Sequence, residues 1–95
     1  MSLTTTDYSV LLLVHEYLTA LNKKTVTYDG LVVFAKKSRK TEYKSETIQR
    51  CLRKLAEHGF FERRYVPSYQ TGKRIVIYIP TRRFHEFFNN KSVRQ

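Results

Sequence analysis

The first segment of the chain places apolar residues at positions that a helix would bring to more than one of its faces. Thr6 is its predicted N-cap, Asp7 lies where a carboxylate favours the positive end of a helix, and the helix runs to about Leu21. Its apolar residues are Val10, Leu11, Leu12, Leu13, Val14, Tyr17, Leu18 and Leu21. A surface helix of a monomer shows a single apolar stripe, so we expect one face to cover the chain's own core and another to meet a second subunit.

Two further helices follow, with a polar segment between them. The β-branched residues 25–27 predict a short strand, and the apolar residues after it predict a helix from about Tyr28 to Lys37. Residues 38–44 are polar and basic without periodicity, which is typical of a connecting turn. Ser45 is the predicted N-cap of the next helix and Gly59 ends it. One buried stripe recurs at spacings of three and four in this helix: Ile48, Cys51, Leu52 and Leu55.

A β-hairpin and a last helix complete the pattern. Residues 60–66 and 74–79 are rich in aromatic and β-branched side chains and are joined by a polar tip, which predicts two paired strands. Both faces of the second strand are apolar, so we expect both to be covered. Thr81 is the predicted cap of the final helix, and residues 89–95 are expected to fray. The apolar stripe of that helix needs a partner, either the first helix of the same chain or a second subunit, and consists of Phe84, Phe87 and Phe88.

Composition and charge indicate one basic domain over residues 1–95. With 41% hydrophobic residues and few Gly or Pro, the chain can form a core, so disorder is not expected despite a formal charge of +10. The charge is unevenly distributed, because residues 1–35 have a net charge of −1 and the rest has +11. A field of one sign favours a polyanionic partner. Its two clusters are Lys36, Lys37, Arg39, Lys40, Lys44, Arg50, Arg53 and Lys54, then Arg63, Arg64, Lys73, Arg74, Arg82 and Arg83.

Several function classes are disfavoured by the same sequence. Apolar runs such as residues 10–14 are no longer than five residues, far short of the roughly 20 residues of a membrane-spanning helix, so we expect a cytoplasmic protein without a membrane partner. The single Cys51 cannot form an intrachain disulfide, and the three His residues are spread along the chain, so neither a metal site nor another cofactor is expected. The chain has no Gly-rich phosphate loop, no Ser nucleophile motif and no convincing pair of acids, so we do not expect an enzyme.

Two stretches carry a resemblance to a known superfamily. Residues 45–64, SETIQRCLRKLAEHGFFERR, resemble the recognition helix, Gly turn and first wing strand of MarR-like and PadR-like regulators. Residues 72–81, GKRIVIYIPT, are similar to the wing return and the Thr that opens the next helix. The resemblance implies an α+β winged helix-turn-helix fold, ordered helix, strand, helix, helix, β-hairpin and helix. The short chain is more similar to small archaeal plasmid and viral members, because it lacks the long additional helices beside which MarR-type ligand pockets form.

The physical pattern and the resemblance predict the same DNA-binding residues. An α-helix fits the major groove, where Gln pairs with adenine and Arg with guanine. Base readout is therefore assigned to Thr47, Gln49 and Arg50. The predicted phosphate contacts are Lys36, Lys37, Arg39, Lys40, Tyr43, Lys44, Ser45, Arg53 and Lys54. The predicted wing contacts are Gln70, Thr71, Lys73 and Arg74.

The function predicted from the sequence is a homodimeric, nucleoid-associated transcriptional regulator, a repressor that binds an inverted repeat in double-stranded DNA. Its predicted dimer interface comprises Val10, Leu11, Val14, Leu18, Phe84, Phe87 and Phe88. The same residues would suit an adaptor that marks a centromere-like site for plasmid partition, spreads along DNA and binds a partition or transcription partner protein. A winged helix that binds RNA or an acidic protein is the remaining alternative.

Overall fold

Four helices and a three-stranded antiparallel sheet make up the described part of the chain. The computed structural model describes residues 3–38, 44–70 and 72–93. The predicted contacts Arg39, Lys40, Tyr43 and Thr71 therefore lie outside the described residues. In chain order the elements are α1 (Thr5–Ala20), β1 (Val26–Thr27), α2 (Tyr28–Lys37), α3 (Ser45–Glu57), β2 (Phe61–Pro67), β3 (Arg74–Pro80) and α4 (Arg82–Val93). This is a small α+β arrangement compatible with a winged-helix-like fold.

The start of α1 lies earlier than the sequence predicted, because Thr4 rather than Thr6 is the N-cap. The Thr4 hydroxyl accepts a hydrogen bond from the Asp7 backbone N–H at 3.3 Å. Asp7 Oδ2 in turn accepts the Thr4 backbone N–H at 2.7 Å. This reciprocal capping box satisfies two helix-end donors and uses Asp7 at the third helical position, whereas the sequence interpretation used it only as a charge near the helix end.

The bounds of α3 are within one residue of the prediction. The N-cap is Lys44 and not Ser45, which is the first helical residue. At the other end, Gly59 has a φ of 86°, a left-handed conformation that favours glycine. The Gly59 N–H donates to the Ala56 carbonyl and the Phe60 N–H to the Leu55 carbonyl, each at 3.0 Å. This pair of bonds is a Schellman motif, which turns the chain directly into β2.

The sheet has the order β1, β3, β2 and presents two different faces. The register pairs Arg63 with Tyr78 and Arg64 with Ile77, so Arg63 and Tyr78 share the face that carries the buried Phe61. The opposite face carries Ile75, Ile77 and Ile79 from β3. Ile75 is 42% exposed and the other two are half-buried. The expectation that both faces are covered is therefore wrong within the described chain for this outer face.

The core accounts for most of the residues that the sequence assigned to a dimer interface. Val10, Leu11, Val14 and Phe84 are buried among the chain's own helices and strands, so their assignment to an intersubunit surface is corrected. They are buried because α1 turns its widest apolar face toward the rest of the domain. Leu18, Phe87 and Phe88 are half-buried and pack against the same core.

The last helix packs beside the first. The rings of Tyr8 and Phe87 stack with their centroids 6.1 Å apart, and His15 stacks on Phe88 at 4.1 Å. The Thr81 N–H donates to the Phe60 carbonyl at 3.1 Å, and its hydroxyl donates to the Gly59 carbonyl, which fixes the start of α4 to the end of α3. Residues 89–93 continue α4, whereas the sequence predicted that they fray.

The sequence predicted neither a membrane-spanning helix nor a metal site. Within residues 3–38, 44–70 and 72–93, no helix is both long and apolar enough to cross a membrane. The same residues contain no group of three or more His, Cys, Asp or Glu side chains arranged to hold a metal ion.

Candidate nucleic-acid interface

The outer face of α3 forms the first part of the candidate interface. Ile48, Cys51, Leu52 and Leu55 are buried, as the sequence predicted, which leaves the opposite side of the helix at the surface. Thr47 is half-buried, and Gln49 and Arg50 are exposed. A shallow depression along this face is lined by Glu46, Gln49, Arg50, Arg53, Lys54 and Glu57. Its cationic and amide groups lie in the middle of the helix and its acids lie toward the two ends.

A groove between α3 and the sheet forms the second part. It has a volume of about 420 Å³ and brings together side chains from α2, α3, β2 and β3. Its lining consists of Thr27, Tyr28, Asp29, Gln49, Arg53, Arg63, Ile75, Val76 and Tyr78. Gln49 and Arg53 line both this groove and the outer depression, so the two surfaces are continuous along α3. We call the two together the basic surface.

Arg63 is an interface residue that the sequence did not assign. The sequence placed it in a basic cluster, but the register of β2 turns it toward the face that α3 packs against. Its guanidinium lies 5.9 Å from the centre of the Tyr78 ring, a distance at which cation–π attraction holds the side chain over the ring. Residues two apart in a strand point to the same face of the sheet. The spacing of Arg63 from the apolar Phe61 was therefore the feature of the sequence that could have placed Arg63 on the inner face.

The groove also contains an acid and a helix start. Asp29 lies in the first turn of α2, where the Thr27 hydroxyl caps the helix by accepting the Gly30 N–H at 3.1 Å. A carboxylate is favourable at this end of a helix because it opposes the positive end of the helix dipole. Asp29 therefore has a local role in α2, and the two guanidiniums of the groove leave its net charge positive.

Lys54 occupies a different environment from the one predicted for a phosphate contact. Its ammonium lies 2.9 Å from Asp7 Oδ2, with side-chain exposures of 22% for Lys54 and 4% for Asp7. Burial alone would raise the pKa of the Asp7 carboxyl. Hydrogen bonds from the Thr4 backbone, from Lys54 and from Cys51 outweigh burial and hold that pKa well below its usual value. Lys54 thus neutralises a buried carboxylate, and we leave it out of the proposed DNA contacts.

Cys51 lies next to the same carboxylate on the buried side of α3. Burial, followed by the hydrogen bond to Asp7 and the negative charge of Asp7, raises the pKa of its thiol to about 11. A thiol with a raised pKa is a poor nucleophile near neutral pH. The burial of Cys51 confirms its predicted place in the apolar stripe of α3.

The remaining predicted contacts lie at the surface but outside the groove. Lys36 and Lys37 end α2, and Lys44 and Ser45 begin α3; all four are exposed. Gln70, Lys73 and Arg74 are exposed at or beside the hairpin tip, which is closed by two backbone bonds of 2.8 Å between Ser68 and residues 72 and 73. The structure therefore separates the predicted residues into the α3 face, the start of α3, the end of α2 and the wing.

Comparisons with known proteins return no match: no protein-family model, curated protein or solved structure is significantly similar to this chain.

Proposed function

We propose that this chain is a winged helix-turn-helix protein that binds double-stranded DNA with sequence preference and regulates transcription. The observation that carries the proposal is the groove in which Gln49 and Arg53 of α3 face Arg63 of the hairpin. One exposed helix and a β-hairpin thus border one continuous basic surface. A duplex presents a groove for the helix and phosphates on either side of it, which is the partner that such a surface fits.

In this proposal, α3 enters the major groove. The groove of B-form DNA is about 12 Å wide, which admits a helix of about 10–12 Å diameter with its side chains. Arg50 can donate two hydrogen bonds to guanine, and Gln49 can both donate to and accept from adenine. Thr47 is half-buried at the start of the helix, from which its methyl group can contact a thymine methyl. These three residues supply the sequence preference.

The phosphate contacts come from the two sides of the groove. Arg53 approaches from α3, and Arg63 approaches from β2 with its orientation fixed by Tyr78. A strand of the duplex between α3 and the hairpin would have its phosphates between these guanidiniums. Lys44, Lys73 and Arg74 extend the same positive field toward the start of α3 and the wing tip, where they add affinity without sequence readout.

The biological role we propose is repression by occupancy of a promoter, by a homodimer on an inverted repeat. Two copies related by a two-fold axis match half-sites about one helical turn, or roughly 34–36 Å, apart. We further propose that the protein acts by binding alone. The described thiol is buried and its pKa is raised, and the basic surface contains exposed cations beside three acids, of which Asp29 and Glu46 lie in the first turn of a helix.

The test is a footprint of the full chain on fragments of random genomic DNA, read at low and physiological salt. The proposal requires discrete protected sites that share an inverted repeat and survive at physiological salt. Binding that covers all fragments equally would contradict the sequence preference, and the absence of protection even at low salt would reject DNA binding altogether. Protection that extends from one site into neighbouring DNA with rising protein concentration would support a spreading partition adaptor instead of a repressor.

A further inference from the structure

The outer face of α1 carries exposed apolar residues on a helix that has no Lys or Arg. Tyr8 and Leu12 lie one helical turn apart and are 46% and 47% exposed. The half-buried Phe87 stacks on Tyr8 and continues the apolar surface onto α4. We call Tyr8, Leu12 and Phe87 the α1 patch. Contiguous exposed apolar side chains of this kind favour contact with another molecule.

The charge of the chain indicates which molecule covers this patch. α1 contains no Lys or Arg over its 16 residues, although the whole chain has a formal charge of +10. Two copies that approached through α3, the end of α2 or the wing would bring like charges together. Two copies that approach through α1 meet the least repulsion, because this helix has Asp7 and Glu16 as its only residues of formal charge.

Other exposed apolar residues lack this combination. Val33 is 51% exposed on α2, but Lys36 and Lys37 follow it within one turn. Ile75 shares its face of the hairpin with Arg64, and Tyr65 shares the other face with Arg63 and Arg74. A second copy of this basic chain would be repelled at each of these positions, whereas Tyr8 and Leu12 lie on a helix without Lys or Arg. Beside Phe87 on α4, the guanidinium of Arg83 lies 5.0 Å from the centre of the Phe60 ring.

The patch is also ordered before any partner binds. The Tyr8 and Phe87 rings are nearly parallel, with 18° between their planes. His15 stacks on Phe88 at 4.1 Å, which holds α4 against α1 about two turns further along α1. Side chains that are already held in place lose less conformational entropy on association.

We propose that the α1 patch is the two-fold interface through which this chain pairs with a second copy of itself. Around a two-fold axis the same residues meet from both subunits, so Leu12 packs near its symmetry mate and the two Tyr8 rings border the contact. Of the residues to which the sequence assigned dimerisation, Val10, Leu11, Val14 and Phe84 are buried in the chain's own core, whereas Leu18, Phe87 and Phe88 are half-buried and Phe87 belongs to the α1 patch. In the proposed dimer, the exposed Tyr8 and Leu12 on the outer face of α1 form the contact instead of the buried residues. This inference deepens the proposed function, since an inverted repeat requires such a dimer.

The test measures self-association of the full chain without DNA, so that its outcome is independent of DNA binding. Sedimentation equilibrium over about 1–100 µM should show a monomer–dimer equilibrium, a range that corresponds to roughly 5–8 kcal/mol of association free energy. Leu12→Glu should weaken dimerisation by at least about tenfold, because it places two carboxylates near the axis. Val33→Glu is the matched control, with similar exposure on another helix, and should leave the dissociation constant unchanged.

A charge-reversal mixture removes the remaining ambiguity over folding. Leu12→Glu and Leu12→Lys should each be monomeric, and an equimolar mixture of the two should form a heterodimer. Association in the mixture requires that the two side chains at position 12 meet across the two-fold axis. A wild-type chain that stays monomeric throughout the range would overturn the proposal, as would an equal effect of Val33→Glu or a mixture that does not associate. A dimer that fails to protect an inverted repeat would leave this interface intact and reject only the DNA-binding proposal.

Discussion

The ammonium of Lys54 lies 2.9 Å from the Oδ2 atom of Asp7, and this ion pair joins α3 to the N-terminus of α1. The same oxygen accepts the Thr4 backbone N–H, so one buried atom both caps α1 and holds α3. A sequence that places a Lys on the exposed half of a basic helix gives no sign of this contact. The pair makes the position of α3 depend on the first turn of α1.

Replacement of Asp7 by Asn should lower the free energy of unfolding by about 1–3 kcal/mol, because it leaves Lys54 without its charge partner and weakens the capping box. Urea denaturation at neutral pH measures the change. The matched control is Glu62→Gln, which breaks an exposed pair with Arg64 and should cost less than about 1 kcal/mol. Equal losses in the two variants would show that the Asp7 pair has no special structural role.

Acid should destabilise the protein through the same carboxylate. Folding lowers the pKa of Asp7, so the folded state favours the ionised form and the unfolded chain takes up the proton first, near its ordinary value of about 4. The stabilisation by Asp7 is therefore fully present above about pH 5 and is lost as the pH falls toward the folded pKa. Urea unfolding measured from about pH 6 to pH 2 should show this loss for the wild type and a flatter dependence for Asp7→Asn. Parallel pH profiles for the two proteins would assign acid sensitivity to other groups.

Arg53→Ala and Arg63→Ala should each weaken binding to specific and nonspecific duplexes alike. Because each variant removes one proposed phosphate contact, the slope of log affinity against log salt should become shallower by about one unit. Fluorescence anisotropy with labelled duplexes over a salt series gives both quantities. Arg82→Ala is the matched control, since Arg82 is highly exposed outside the groove and pairs with Glu86. An unchanged slope for Arg63→Ala, or an equal change for Arg82→Ala, would remove Arg63 from the interface.

Gln49→Ala and Arg50→Ala should relax sequence preference more than they reduce nonspecific affinity. Loss of a bidentate base contact costs about 1–3 kcal/mol of discrimination against the wrong base, which corresponds to roughly tenfold to hundredfold in the affinity ratio. Competition between the footprinted site and single-base variants measures that ratio. The comparison variants are Lys73→Ala and Arg74→Ala at the wing, which should lower all affinities while the ratio is kept. An equal loss of preference in both sets would contradict the separation of base and phosphate contacts.

Gly30→Ala should destabilise the fold, although alanine favours a helix interior over glycine by about 1 kcal/mol. A Cβ atom at position 30 would lie 2.7 Å from the Tyr17 hydroxyl oxygen and 2.8 Å from the Thr27 hydroxyl oxygen, closer than real contacts allow. The expected net cost is about 1–3 kcal/mol by urea denaturation. Tyr17→Phe removes the nearer oxygen, so a double-mutant cycle should show that it recovers part of the loss. Strict additivity of the two substitutions would locate the effect elsewhere.

Most of the elements follow from local pattern. The bounds of α3 and β3 lie within about two residues of the prediction, because the features that set them are local. These features are the period of the apolar residues in α3, the glycine at position 59 and the β-branched residues of β3. The N-cap of α1 was displaced because three consecutive Thr residues precede Asp7, and only the reciprocal bond to Thr4 distinguishes among them.

The candidate interface was predicted only where one element determines it. Gln49, Arg50 and Arg53 lie opposite the buried stripe of α3, and that relation is fixed by the helical period. Arg63 and Tyr28 join them through the packing of α3 against the sheet, which depends on residues far apart in the chain. Helical period alone also placed Lys54 near this face, but its ammonium is bound by a carboxylate 47 positions earlier in the sequence.

The sequence by itself determined the elements, the uneven charge and the apolar character of α1, because these depend on residue type and short spacing. Only the tertiary structure decided which apolar face of α1 packs against the core of the domain. It buried Val10, Leu11 and Val14 and left Tyr8 and Leu12 at the surface, since α3 and the sheet pack on one side only. It likewise decided which cations remain available to a polyanion, because an ion pair such as Asp7 with Lys54 depends on how two helices meet.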